Sequence, residues 1–482
     1  MLLAEHRRAW AARWESADIA IEGDEDLQLA TRLALFHLMG SAADHGEAAV
    51  GARGLTGHAY RGHVFWDADT FVLPFLAATH PGAARAMLEY RVRRLATARD
   101  AARAAGVAGA RFPWESADGG DDVTPRSGRD RAGQVVPIRT GEDELHITAQ
   151  VAWAAALYID WTGDEEFAAG PGCELLAETA RFWASRIRRD TTGAGHLYGV
   201  IGPDEYHEPV DDSAFTNVMA RWNLRRAAEV SQTCAGVSGD ERRHWLDLAE
   251  SLVDGYDGRT GIYEQFAGFY GLEPLIIAEV APRRPITADL LLGRERVRGS
   301  QVVKQADVLM LHHLVPDEVA PDSLVPNLEY YEPRTAHGSS LSPGVHASLF
   351  ARAGMTDGAV AALRLAARID LDDLTATGAG GVHLAAMGSV WQALVFGFAG
   401  LRARDDRLVV DPRLPTAWSA LDVRVRYRGT AIRVRVEPGS VRLTADGGAR
   451  VEVAGEVADL GAGVSEFALP DAARGAARLR EG

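Results

Sequence analysis

Carboxylates crowd the segment Gly202-Pro203-Asp204-Glu205-Tyr206-His207-Glu208, with Asp211, Asp212, Thr216 and Asn217 just beyond it. Gly-Pro sets a turn, and Tyr206 and Phe215 add aromatic surface. A carboxyl held against such surface and beside other carboxylates can stay protonated near neutral pH. That is the state a general acid needs to act on a leaving oxygen. A solvated acidic loop is the competing reading of the same segment. Two other segments set an indole beside an acid: His63-Val64-Phe65-Trp66-Asp67-Ala68-Asp69 and Pro113-Trp114-Glu115-Ser116. An aromatic face stacks on the C–H face of a sugar ring, and the carboxylate accepts hydrogen bonds from its hydroxyls. One such pair is ordinary; two in the loops of one chain point to carbohydrate.

A third group is small and polar. Thr335-Ala336-His337-Gly338-Ser339-Ser340-Leu341-Ser342-Pro343 and Gly378-Ala379-Gly380-Gly381-Val382-His383 each offer hydroxyls, backbone N–H groups or an imidazole ahead of a helix. Lys304-Gln305 stands at the head of another. Each alone reads as a helix cap. Together they supply what an inorganic phosphate site requires. There is no phosphate-binding P-loop, no dinucleotide glycine fingerprint and no His-Glu-x-x-His motif, so no cofactor and no metal is expected. His6, His45, His80 and the adjacent His312-His313 read as structural.

The elements that must position these residues are mainly helical. Apolar residues recur at helical spacing over 27–39, 83–105, 146–161, 175–187, 214–228, 302–314, 345–353, 359–369 and 383–401. The count is ten to twelve helices with the weaker candidates, and no repeat of 20–50 residues marks a solenoid. After Arg404 the pattern changes. Residues 423–436 alternate apolar and basic side chains around Gly429-Thr430, a hairpin with one wet face. Further strands follow at 441–444 and 451–453, with Asp446-Gly447 as a hairpin signal. The division is a helical domain over 1–404 and a small β-sheet domain over 405–482, with Asp411-Pro412-Arg413-Leu414-Pro415 as a linker.

Bulk properties narrow the class. With 67 acidic and 51 basic side chains the net charge is −16, which disfavours a polyanion such as nucleic acid. Two cysteines, Cys173 and Cys234, are too few for a disulfide framework and are expected as separate reduced thiols. No apolar run approaches the roughly 20 residues of a membrane span, and the charged start lacks a signal-peptide core. The expectation is a cytoplasmic protein without a membrane partner.

Taken together, the motifs resemble glycoside hydrolase family 65, the family of maltose, trehalose and kojibiose phosphorylases. The resemblance rests on Arg61-Gly62-His63-Val64-Phe65-Trp66-Asp67, Phe112-Pro113-Trp114-Glu115-Ser116, Glu144-Leu145-His146-Ile147-Thr148-Ala149 and Gly202 to Glu208. Lys304-Gln305-Ala306-Asp307-Val308, His337 to Ser342 and Gly381-Val382-His383-Leu384 follow in family order, then Leu414-Pro415 and Tyr427-Arg428-Gly429. It implies an (α/α)6 barrel with a small C-terminal β-sheet domain, and covers neither the N-terminal β-sandwich of full-length relatives nor its dimer contacts; a homodimer stays open. By position it implies Glu205 as general acid. Trp66, Asp67, Trp114, Glu115, Lys304 and Gln305 would hold the transferred glucose, and Ser339, Ser340 and His383 would hold phosphate. Gly380 stands where many relatives carry a Glu.

The reaction implied is inverting phosphorolysis of an α-linked glucose disaccharide or α-glucoside to β-glucose 1-phosphate. An inverting phosphorylase needs only the acid, because phosphate is already a nucleophile. An inverting hydrolase also needs a base, for which Glu264 or Glu332 is the candidate. The alternatives are that hydrolase and a non-catalytic sugar-binding remnant. The loop over 117–141 is expected to shape the acceptor side.

Overall fold

The computed structural model describes residues 1–43, 45–129, 133–232, 234 and 236–470. Six helices form an inner ring: α1 (Leu73–Thr79), α2 (Ile147–Thr162), α3 (Ala214–Val230), α4 (Val308–Leu314), α5 (Ser342–Arg352) and α6 (Leu384–Gln392). Every residue of α1 and of α6 is buried, the mark of a helix packed on all sides. Each touches the next in chain order, and α6 touches α1, which closes the ring. Between them run outer helices, among them Glu25–Ser41, Pro81–Arg93, Pro171–Arg186, Gly239–Ser251, Leu324–Tyr331 and Thr356–Arg368. Thr356–Arg368 buries one stripe, Ala359, Leu363 and Ala366, spaced for a single face. The architecture is an (α/α)6 barrel.

Tertiary bonds move several expected boundaries. The helix expected over 83–105 breaks into Pro81–Arg93 and Leu95–Ala104. Arg94 leaves the helical path, and its guanidinium donates to Asp118 O (2.8 Å), Tyr90 O and Glu47 O (both 3.2 Å) while lying 3.7 Å from the centre of the Tyr90 ring. The helix expected from 302 begins at Val308. Its preceding N–H groups are used elsewhere: Val303 donates to Arg334 O, Lys304 to Asp204 Oδ1 and Ala306 to Ser342 Oγ.

The C-terminal strands form two sheets. The first is antiparallel, ordered β1 (Ile19–Glu22), β4 (Ala420–Tyr427), β5 (Thr430–Glu437), β6 (Ser440–Ala445) and β9 (Gly463–Ala468). The second is ordered β8 (Glu456–Leu460), β7 (Ala449–Val453), β3 (Arg407–Val410) and β2 (Leu401–Arg404), with β7 and β3 parallel. Strand β1, too short to stand out in the sequence, comes from the N-terminal region and edges the first sheet. The hairpin turn is Arg428-Gly429, one residue before the expected pair. Both residues have positive φ (47° and 85°), as a tight two-residue turn between twisted strands requires. Asp446-Gly447 joins two sheets rather than two paired strands, because β6 pairs with β9 and β7 with β8 and β3. The segment 411–415 likewise crosses from β3 to β4 and is pinned to the barrel by Arg413 N–H on Phe398 O.

Cys173 and Cys234 are bonded to each other, not separate thiols. Helix Pro171–Arg186 packs on α3, and this brings Cys173 beside the chain leaving α3, a proximity that 61 residues of separation hide.

The ring depends on large side chains at its centre. Trp391 in α6 is 1% exposed and packs edge-on to Phe75 of α1 (5.7 Å) and to Phe396 (5.2 Å). Trp391→Ala is expected to cost about 3–5 kcal/mol. In urea denaturation this reads as a lowered midpoint with unchanged slope.

Candidate active site

All six inner helices receive their N-terminal ends from loops that carry the motifs singled out above. The Trp66 loop enters α1, the Trp114 and Glu144 segments precede α2, the Glu205 segment precedes α3, Lys304 precedes α4, His337 to Leu341 precede α5 and Gly381 to His383 precede α6. A closed ring of helices therefore gathers loops distant in sequence at one end, each on a rigid support.

The two indole–acid loops are zipped together. Val64 and Ser116 form a backbone bridge, with both N–H···O bonds at 2.9 Å. His63 Nδ1 lies 2.8 Å from Glu115 Oε2. Trp66 is buried and stacks on half-buried Trp114, centroids 6.4 Å apart and planes 29° apart. The start of α1 is held from below by a buried pair, Arg91 Nη2 to Asp69 Oδ2 at 2.5 Å. Just upstream, Tyr60 and Arg61 take positive φ (58° and 53°), as does His337 (52°). Non-glycine residues in this conformation carry strain that only a determined surrounding maintains.

Glu205 faces a cavity of about 780 Å³, lined also by Lys304, Tyr206, Glu208, Gly338, Arg139 and Arg294. Lys304 Nζ donates to Glu205 Oε1 at 2.9 Å. Burial would strip the Lys304 ammonium of its proton, but the Glu205 charge outweighs it and holds the lysine above its usual range. Asp67 is pushed up to about 7, first by burial and then by the Glu205 charge, so the two carboxylates share one field.

Beneath the cavity lies a set of buried acids that sequence reasoning did not single out as site residues. Asp204 accepts from the Lys304 backbone N–H (2.8 Å) and the Gln265 amide (2.8 Å), and its Oδ2 is 2.6 Å from His207 Nδ1. Burial would raise its pKa; the His207 charge and hydrogen bond and the N–H donors win and lower it. Asp307 Oδ2 accepts the Asp204 N–H at 3.0 Å. Burial and the Asp204 charge push Asp307 up to about 8, leaving it largely protonated at neutrality. Gly202 is required here, since a Cβ would sit 2.5 Å from Asp307 Oδ2. Glu144 is also buried, and burial followed by the Glu205 charge raises it well above the usual carboxyl range. His146, 3.0 Å away, is lowered to about 4 by burial. The consistent assignment has protonated Glu144 donating to neutral His146 Nε2, whose Nδ1–H donates to Gln150 Oε1 at 2.9 Å. The spacing Glu-x-His was visible in the sequence; its burial beside Glu205 was not.

The other expected residues lie as follows. Gln305 is buried and donates to Pro203 O at 2.5 Å, so it holds the Glu205 turn. Ser339 Oγ accepts the Leu341 N–H (3.3 Å), and Ser339 and Ser340 are half-buried. Gly338 N–H binds Lys304 O at 2.9 Å, which sets this loop against the lysine. His383 Nδ1 is 2.7 Å from Asp370 Oδ1 and its Nε2 is 3.1 Å from Thr377 Oγ1. Its loop is tied to the Trp66 side by Arg53 on Gly381 O (2.8 Å). Neither candidate base lines the Glu205 cavity. Glu264 accepts from Tyr270 N–H, and Glu332 is paired with Arg284 at 2.6 Å.

The family model for the glycosyl hydrolase family 65 central catalytic domain matches residues 32–392, and that for the family's C-terminal domain matches residues 401–460. The chain belongs to glycosyl hydrolase family 65. This family 65 chain is 37% identical over 462 residues to a kojibiose phosphorylase of Halothermothrix orenii, an alignment covering 92% of the chain and 59% of that relative. It is 34% identical to an α,α-trehalose phosphorylase of Thermoanaerobacter brockii, covering 91% of the chain and 57% of the relative. A solved structure described as a candidate kojibiose phosphorylase from human microbiome superposes with a TM-score of 0.86 at 26% identity, covering 97% of this chain and 69% of that one. The family 65 chain thus spans about three fifths of the length of these curated relatives.

The raised acids carry a sign that can be tested. Asp67 and Asp307 bind protons in the folded state up to about pH 7 and 8, whereas in the unfolded chain they release them near about pH 4. Between those values the folded state holds more protons, so these groups make stability fall as pH rises. Urea midpoints measured from pH 5 to pH 8.5 are expected to fall less steeply in Asp307→Asn than in the native chain.

Proposed function

We propose that the chain catalyses inverting phosphorolysis of an α-linked glucose disaccharide or α-glucoside, with Glu205 as general acid and β-glucose 1-phosphate as product. The carrying observation is the Lys304–Glu205 contact of 2.9 Å on the wall of a large cavity, in the layer of loops that also holds the Trp66–Trp114 stack and Asp67. The names of the relatives, kojibiose and α,α-trehalose phosphorylase, support the same reaction class. Trp66, Asp67, Trp114, Glu115, Lys304 and Gln305 form the side that holds glucose. Ser339, Ser340 and His383 hold phosphate, a phosphate oxygen replacing Thr377 Oγ1 at His383 Nε2.

The chemistry follows from this arrangement. Glu205 gives its proton to the glycosidic oxygen as the bond to the anomeric carbon breaks. Phosphate, held on the opposite face, forms the new C–O bond, so configuration inverts. No base is required, because phosphate is already a nucleophile. Positioning phosphate supplies the effective concentration that a water nucleophile would otherwise exploit. No cofactor enters this scheme. Among the described residues no helix is long and apolar enough to cross a membrane.

Incubation with a panel of α-linked glucose disaccharides, with and without phosphate, tests the reading. Glucose 1-phosphate is expected only with phosphate. Glu205→Gln is expected to lower its formation by about 10²–10⁴-fold with an unchanged melting temperature. Free glucose formed at equal rate without phosphate overturns phosphorolysis in favour of hydrolysis; no product from any sugar favours a binding role. Steady-state kinetics of His383→Ala separate the two subsites: KM for phosphate is expected to rise by about ten-fold or more, with KM for the disaccharide changed far less.

A further inference from the structure

A second cavity, of about 330 Å³, opens at the opposite end of the barrel, where α2, α3 and α4 end against the first strand of the second sheet. Its walls are aromatic: Trp153, Trp161, Trp222 and Phe396 all line it. Trp161 and Phe396 lie 6.1 Å apart with planes 33° apart, and Trp153 Nε1 is spent on Leu314 O at 3.0 Å. Carboxylates and arginines complete the lining: Asp160, Glu229, Asp317 and Glu318, with Arg226 and Arg404 paired to them, and two further arginines, Arg352 and Arg402.

Arg352 and Arg402 have no carboxylate of their own. Arg352 donates to the backbone oxygen of His312. Among the described residues, the Arg402 guanidinium makes no hydrogen bond or ion pair, although the residue is only partly exposed. The four carboxylates of the lining are already engaged, Asp160 and Glu229 with Arg226 (2.5 and 2.8 Å), Asp317 with Arg404 (3.1 Å) and Glu318 with Arg225 (2.5 Å), and nearby Asp411 is paired with Arg413 at 2.6 Å. Burial, reinforced by the Arg402 charge, lowers Arg352 to about 10, and burial lowers Arg402 as well. Two like charges are thus held together in a partly dry pocket, in a chain whose net charge is −16. A second polar group points to the same conclusion. Ser348 is 0% exposed, lines this cavity, and its Oγ has no hydrogen-bond partner among the described residues.

We propose that this cavity binds a phosphate monoester of hexose size, distinct from the catalytic phosphate. Two guanidinium forks and a hydroxyl match a doubly charged tetrahedral anion better than they match a lone carboxylate. The indole faces accept the C–H face of a sugar ring. The residues used lie on α2, α3 and α5, on the turn Ala393–Phe398 after α6 and on β2, none of them in the loops around Glu205, so the site stands or falls independently of the catalytic reading.

Isothermal titration of the full chain with glucose 6-phosphate tests this, with glucose and inorganic phosphate as separate arms and indole fluorescence as a second readout. Saturable binding of glucose 6-phosphate is expected, with a change in tryptophan emission. Arg402→Gln is expected to weaken it by about ten-fold or more, Arg402→Lys by less, and His383→Ala not at all. Should Arg402→Gln lower the melting temperature markedly, Trp222→Phe serves instead and is expected to weaken binding several-fold. Equal affinity in the native and Arg402→Gln chains overturns the proposal. So does loss of binding in His383→Ala, which would place the ligand in the catalytic cavity. Inorganic phosphate binding as tightly as the sugar phosphate overturns the assignment of a sugar-bearing ligand.

Discussion

Asp204 is fully buried and shares its two oxygens among His207, Gln265 and the Lys304 backbone N–H, while its own N–H is held by Asp307. A charge in that position is tolerable only because every bond is made. The consequence is positional. The next residue is Glu205, and the residue whose N–H it binds is Lys304, so one buried carboxylate sets both ends of the contact between acid and lysine. Asp307 must remain largely protonated beside it, which burial and the Asp204 charge ensure. The loop entering α3 and the loop entering α4 are therefore one unit.

The barrel supplies the rest of the constraint. Because the inner helices close on themselves, their preceding loops have no freedom to separate. Strain at Tyr60, Arg61 and His337 is stored where this closure meets the site. The small sheets complete the opposite end. There β2 brings Arg402 to the same pocket as the indoles of α2 and α3.

Much of the candidate site was legible because it is marked by uncommon local combinations. Trp66-Asp67 and Trp114-Glu115 stand out as paired letters, and Glu205 stands out among carboxylates after Gly202-Pro203. Helical periodicity likewise marked most of the barrel, as in Thr356–Arg368, which buries a single stripe. The network below Glu205 was less visible. Asp204, Glu144, His146 and Asp307 are common residues in common contexts, and what makes them unusual is desolvation, which depends on what packs against them from elsewhere in the chain. The two cysteines illustrate the same limit, for 61 residues separate partners that one helix pair brings together.

By itself, then, the sequence determined the helical class, the β-rich end, the residue types of the candidate site and the family resemblance, because each is written in local spacing or composition. Tertiary structure alone decided where helices begin, as when Val303, Lys304 and Ala306 give their N–H groups to distant acceptors and delay α4 to Val308. It decided that β6 and β7 part into different sheets despite a hairpin signal, that Ile19–Glu22 joins strands some 400 residues later, and which acids carry protons. These outcomes rest on non-local hydrogen bonds and on burial, and neither exists until the chain has closed.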